Sequence, residues 1–238
     1  MRWRRRSGLH RSGRPVDREA LRGRRPRSLE RSEGASLGPA GYRKALRAMR
    51  IAAELGLPLV TIVDAPGAEL SQAAEEGGLS AEIARCLLQL TGLSTPTLSV
   101  LLGEGAGGGA VALFPADRVI CAEHAWLLPI APEGASAIVY RSADKAGELA
   151  AAQGGASWNL RRFGLVDTIV AEQSGWLQRM AAVITAELEA LLDEPADARL
   201  ARRRRRIRNA GLTGGGERLN GTTVVCGKRT SPAQPRSR

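Results

Sequence analysis

The residues that point to chemistry are glycines. Gly103-Glu104-Gly105-Ala106-Gly107-Gly108-Gly109-Ala110 ends an apolar run and opens a short apolar segment. A glycine loop between a strand and a helix leaves backbone N–H groups unbonded, and the helix dipole adds to their attraction for an anion. Glycine also lets a ligand oxygen come close to the backbone. Two chemistries fit, a phosphate cradle and an oxyanion hole. The P-loop form of the cradle needs Lys and then Ser or Thr, whereas Ala110-Val111 stands here. A dinucleotide fingerprint can be laid over Gly103, Gly105 and Gly108, although it would follow the third element instead of opening the domain. Close helix packing would use the same glycines. A second turn, Pro66-Gly67-Ala68, ends the preceding strand. Ligands of α/β sheets bind at such ends, and an oxyanion needs N–H donors that converge from separate loops.

Side-chain catalysts are scarce. There is no G-x-S-x-G elbow. His10 lies in a tail, so His124, beside Trp126, is the one folded histidine, a residue type more often packed or solvated than catalytic. Glu75-Glu76 reads as a solvated loop face. Cys86 falls on a helix, Cys121 in a strand and Cys226 in a tail. That spacing gives neither a disulfide framework nor a metal site, and it points to a reducing, cytoplasmic setting. The site is expected to work without a metal, through backbone N–H groups.

Elements must place those loops. Residues 41–55 put Tyr42, Leu46, Met49 and Ala53 on one helical face, stopped by Gly56 and Pro58. "LPLVTIVD" is a β-branched run of the kind buried on both faces. Ser80 is placed to cap a helix carrying Ile83, Leu87 and Leu90, and Pro96 ends it. "TLSVLLG" is a second buried strand, with a loop from Gly103 to Gly109 behind it. "RVICA" and "AWLLPI" read as strands. "PEGASAIVY" (132–140) reads as a helix with Pro132 and Glu133 in its first turn. Ser157 is placed to cap "WNLRRF", "LVDTIVA" is a last strand, and a helix over 174–194 turns Leu177, Met180, Ile184, Leu188 and Leu191 inward. Strands alternate with helices, so the class is α/β with a largely parallel sheet.

Charge separates this middle from the ends. The chain of 238 residues carries a formal +11. Residues 1–36 contribute +8 and residues 199–238 contribute +11, while 37–198 stands at −8. Both ends mix Arg, Gly, Ser and Pro and are expected to be disordered. The Arg202–Arg206 run suits a nucleic-acid arm, and a plain solubilising tail fits equally. With three Lys against 32 Arg, a third reading is a GC-rich genome in which a misplaced start or shifted frame produced the tails. Nucleic acid is therefore not the expected partner of the folded part. No stretch is apolar enough to span a membrane, and no secretory signal is expected.

Five stretches carry a family resemblance: "GYRKALRAMRIAAELGLPLVTIVDAPGA", "AAEEGGLSAEIARCL", "TPTLSVLLGEGAGGGAVALFPADRVICAEHAW", "APEGASAIVYRSADKA" and "FGLVDTIVAE". Together they resemble the carboxyltransferase alpha subunit of acetyl-CoA carboxylase, in the crotonase superfamily, over about residues 40–173. The resemblance implies a crotonase-like spiral of ββα units instead of an open sheet. One such domain is expected at 39–195, with disordered basic tails at 1–38 and 196–238. It also implies that carboxybiotin, borne on a separate carrier, gives its carboxyl group to acetyl-CoA to form malonyl-CoA, for fatty acid biosynthesis. Gly109 and Ala110 would donate N–H groups, Gly108 would shape the turn, and Gly67 and Ala68 would hold the matching place in the first loop. Pro132, Glu133 and Gly134 would begin the helix lining the biotin site. Implied partners are a beta-type half that binds the acyl-CoA, the biotin carboxyl carrier protein and biotin carboxylase. Glu69-Leu70-Ser71 stands where the family often has an aromatic, a proline and a glycine. Rival readings are a stand-alone crotonase-type hydratase or hydrolase and an inactive truncated copy.

Overall fold

A computed structural model describes residues 36–210. The order is α1 (Pro39–Leu55), β1 (Leu59–Ala65), α2 (Gln72–Glu76), α3 (Leu79–Gly92), β2 (Thr97–Ala106), α4 (Gly107–Val111), β3 (Arg118–Ala122), β4 (Trp126–Leu128), α5 (Pro132–Tyr140), α6 (Ala146–Gln153), α7 (Ser157–Arg162), β5 (Thr168–Val170), α8 (Trp176–Asp193) and α9 (Ala196–Asn209).

The five strands form one parallel sheet built around β2. On one side, Leu59–Val63 of β1 run beside Thr97–Leu101. On the other, β3 pairs with Leu98–Leu101, and β4 takes over at Glu104–Ala106. β5 lies beyond β3. The succession β3–β4–α5 is a ββα unit whose two strands line up along one long neighbour. Apolar side chains fill the space between the sheet and its helices. Tyr42, Leu46 and Met49 of α1, Cys86 and Leu90 of α3, and Leu98, Val100 and Leu101 of β2 are all in this core.

Several local expectations change. Gly103–Ala106 is strand, not loop. The glycines are there because strands cross closely: a Cβ on Gly105 would stand 2.8 Å from Leu127 Cδ1 and 3.0 Å from the Trp126 carbonyl. Gly103 makes room for Asp64, whose Oδ1 accepts from the Glu104 N–H at 3.1 Å. α3 starts at Leu79 behind Gly78, which has φ +81°, so Ser80 is not its cap. The buried line of α3 is Leu79, Cys86 and Leu90, while Ile83 and Leu87 are half-buried. Ser157 lies inside α7 and donates to the Glu123 carbonyl at 2.5 Å. Glu75 and Glu76 belong to the short helix α2, which Ser71 caps by accepting from the Ala74 N–H. Leu177 faces solvent, whereas Met180 and Leu191 are buried.

The largest correction is at the C-terminal side. Residues 196–238 were expected to be disordered, yet Ala196–Asn209 is a helix. Within the arginine run, Arg199, Arg203 and Arg206 recur every three or four positions and share one face. Arg203 is 1% exposed. It reaches Asp117 through Nε to Oδ1 (3.0 Å) and Nη2 to Oδ2 (2.6 Å), and it donates through Nη1 to the carbonyls of Leu90 (2.7 Å) and Leu93 (2.9 Å). Asp117 Oδ2 also accepts from the Thr97 N–H and hydroxyl. Arg206 pairs with Asp167, and Arg202 with Glu194. Thus Arg203 and Arg206 latch α9 to the start of β2 and β3 and Arg202 pairs with Glu194, while Arg204 and Arg205 are exposed, so the run is a helix held by three of its arginines and not a free nucleic-acid arm. Its charges looked unpartnered because their carboxylates lie up to 86 residues away in sequence. The expectations for residues 1–35 and 211–238, Cys226 and His10 included, fall outside the described residues.

Candidate functional site

The two glycine turns meet at the C-terminal ends of neighbouring strands. β1 ends in Pro66-Gly67-Ala68 and β2 runs into α4 at Gly107. Gly67 has φ +144° and Gly107 has φ +66°, values that a side chain disfavours. Leu37 holds the first turn from the outside: it bridges Ala68, and the Glu69 N–H donates to its carbonyl at 3.0 Å. The inner side of the turn abuts Gly109. A Cβ on Gly109 would overlap the Tyr42 hydroxyl and stand 3.0 Å from the Ala68 nitrogen and 3.3 Å from the Ala68 Cβ. So Gly109, Ala68 and Tyr42 crowd round one point, and only glycine fits at 109.

Donors are left over there. The Ala68 N–H makes no hydrogen bond with a described residue. The N–H groups of Gly107–Gly109 open α4, where no earlier carbonyl of the helix can accept them. Gly109 and Ala110 are buried, Gly108 is exposed, and Gly67 and Ala68 are half-buried. This arrangement suits a negatively polarised oxygen lying between two loops. Pro132, Glu133 and Gly134 form the first turn of α5, and Glu133 is exposed. Their link to the glycine turns is Pro129, whose carbonyl oxygen lies 3.7 Å from where a Gly107 Cβ would be. Gly134 has open room, its nearest neighbour being the Ile130 side chain at 3.6 Å.

Of the other candidates, His124 is exposed, and its backbone N–H donates to Glu172 Oε1 at 3.0 Å. Among the described residues no group of three His, Cys, Asp or Glu could hold a metal ion. Cys86 and Cys121 are buried free thiols. Burial pushes Cys86 up to about 11 and Cys121 up to about 12, which keeps both protonated. Cys86 donates to the Tyr42 carbonyl at 3.3 Å, under the site. Glu69 does not project into the turn's inner side. It accepts from the Ser71 hydroxyl at 2.7 Å and packs on Gly38. Leu70 is 95% exposed. Sequence reasoning missed Tyr42 as a site residue. Its helical spacing read as core, which it is, and nothing in spacing says that its hydroxyl ends at Gly109.

Solved structures share this fold. The chain is similar to a transcarboxylase 12S structure solved with methylmalonyl-coenzyme A and methylmalonic acid bound, with a TM-score of 0.57 and 22% identity over 66% of this chain and 32% of that one. The family model for acetyl co-enzyme A carboxylase carboxyltransferase-like proteins matches residues 21–211. The chain belongs to that family, whose members are biotin-dependent carboxyltransferases. It is 52% identical over 186 residues to a probable biotin-dependent acyl-coenzyme A carboxylase beta3 subunit of Mycobacterium bovis, covering 75% of this chain and 38% of that protein. It is 44% identical over 188 residues to the acetyl-coenzyme A carboxylase carboxyl transferase subunits beta/alpha of Salinispora tropica, covering 76% of this chain and 33% of that protein. The chain thus spans between a third and two fifths of the length of these two relatives.

Proposed function

We propose that this chain is the biotin-side half of an acetyl-CoA carboxyltransferase, working in cytoplasmic fatty acid biosynthesis. The observation that carries the reading is the meeting of Gly67-Ala68 with Gly109, which leaves backbone donors from two loops unpaired at one place. Carboxybiotin on a separate carrier protein would supply the carboxyl group for acetyl-CoA to become malonyl-CoA, with the acyl-CoA proton passing to the biotin nitrogen freed by the transfer. The residues present fit a urea-type carbonyl oxygen: the N–H groups of Ala68 and Gly109 are neutral donors that bind an oxygen as it gains negative charge, whereas the Ala110 N–H, expected as a donor from the sequence, lies one residue past the unbonded N–H groups and is taken up in the first turn of α4. Gly67 and Gly108 shape the two turns. Pro132, Glu133 and Gly134 begin α5, three residues after the Pro129 carbonyl that neighbours Gly107, with Glu133 at the helix's positive end. No side-chain base is asked for.

The acyl-CoA is bound by a beta-type half. Ile138, Val139 and Tyr140, successive residues at the end of α5, are 51–73% exposed, an apolar stretch of the kind that a partner can cover. The carrier protein and biotin carboxylase complete the cycle. The test is to assemble the full chain with a beta-type half and carboxylated carrier and to follow malonyl-CoA. Carboxyl transfer to acetyl-CoA is expected, and transfer to no acyl-CoA would overturn the reading. Hydration of an enoyl-CoA by the chain alone would favour the stand-alone alternative.

A further inference from the structure

Tyr42 is 1% exposed, and its hydroxyl makes no hydrogen bond with a described residue. Yet it is not one of the sealed, unpartnered atoms such as Thr95 Oγ1, so the small area left open includes the hydroxyl end. Burying a hydroxyl without a partner costs stability, and phenylalanine would fill the same space without that cost. A native protein that keeps such a group calls for an explanation outside packing. Position supplies one. The oxygen abuts Gly109 and shares its surroundings with the unbonded Ala68 N–H.

We propose that the Tyr42 hydroxyl is a third hydrogen-bond donor of the site, taking the same urea-type oxygen as the Ala68 and Gly109 N–H groups. This rests on the carboxyltransferase reading above. The hydroxyl donates a hydrogen bond and keeps its proton, so no bond is made or broken at Tyr42. Burial, with Cys86 nearby, raises its pKa to about 12, which preserves the donor across the working range. Gly109 then has two roles: it offers an N–H, and its missing side chain lets the phenol reach the ligand.

The test is Tyr42→Phe in the full chain, assembled with a beta-type half and supplied with carboxylated carrier and acetyl-CoA. The expected result is a fall in kcat of about a hundredfold, an unchanged KM for acetyl-CoA, and a melting temperature equal to or above wild type. Wild-type kcat in the variant would overturn the proposal and leave the carboxyltransferase reading standing. A loss of activity accompanied by a lower melting temperature would also overturn it, since the hydroxyl would then be structural. A wild-type assembly that transfers no carboxyl group would remove the reading and this proposal together.

Discussion

The two ends of the parallel sheet are built on opposite terms. At the C-terminal ends of β1 and β2 the site is glycine and backbone, with the Ala68 N–H and the Tyr42 hydroxyl left unpaired. At the N-terminal ends of β2 and β3, Asp117 is completely buried and saturated by Thr97 and Arg203. Buried charges persist only when paired and hydrogen-bonded. Unpaired neutral donors persist where a ligand is to complete them. One end therefore holds the fold together, and under the proposed function the other trades stability for binding capacity. Among the described arginines, Arg199, Arg203 and Arg206 belong to the latch, through Ser94, Asp117 and Asp167.

Substitutions can break this contrast. The largest effect is expected from Asp117→Ala, which strands Arg203 in the core and should cost about 3–5 kcal/mol, read as a lower urea midpoint. A variant still folded to the wild-type midpoint would show that the latch contributes little. Gly109→Ala should cost less stability, about 1–3 kcal/mol from overpacking, while lowering carboxyl transfer in the assembled enzyme about a hundredfold. Adding Tyr42→Phe to Gly109→Ala should restore part of the midpoint and none of the activity.

Alkaline pH should act through the buried acids. Burial raises Tyr42 from 10.0 to about 12, Cys86 from 9.0 to about 11 and Cys121 from 9.0 to about 12. The unfolded chain ionises first, so the stability present below pH 9 should be lost as pH rises from there towards 12. Urea midpoints measured between pH 8 and 11 should fall steadily, and a flat profile would contradict the burial of these groups. In the native protein at pH 8, iodoacetamide should leave Cys86 and Cys121 unlabelled and modify them after unfolding, as peptide mass spectrometry would report. The smallest effect is expected at Gly134→Ala, where the added methyl meets only ordinary contact with Ile130. Its midpoint should stay within about 1 kcal/mol of wild type, so any fall in carboxyl transfer would assign the start of α5 to the ligand.

Much of the fold was legible because local signals are strong where glycine and β-branched residues alternate with helical periodicity. "PEGASAIVY" matches α5 residue for residue. The three ordered motifs, Pro66-Gly67-Ala68, the glycine run and Pro132-Glu133-Gly134, carried the family. Where reading failed, the cause was distance along the chain. Gly103–Ala106 read as loop because the crossing partner at Trp126–Leu128 is more than twenty residues away. Ser80 and Ser157 were placed as caps by residue type, yet backbone turns at Gly78 and Ala156 start those helices.

By itself the sequence determined the α/β alternation and the two glycine turns, since each follows from neighbours within a few residues. Only the tertiary structure decided that Ala68 and the Tyr42 hydroxyl both crowd Gly109, and that Arg203 is a core residue. Those facts depend on which strand lies beside which and on which carboxylate a guanidinium meets. Such pairings are set by packing across the whole chain, so a run of arginines reads as solvated until its partners are folded against it.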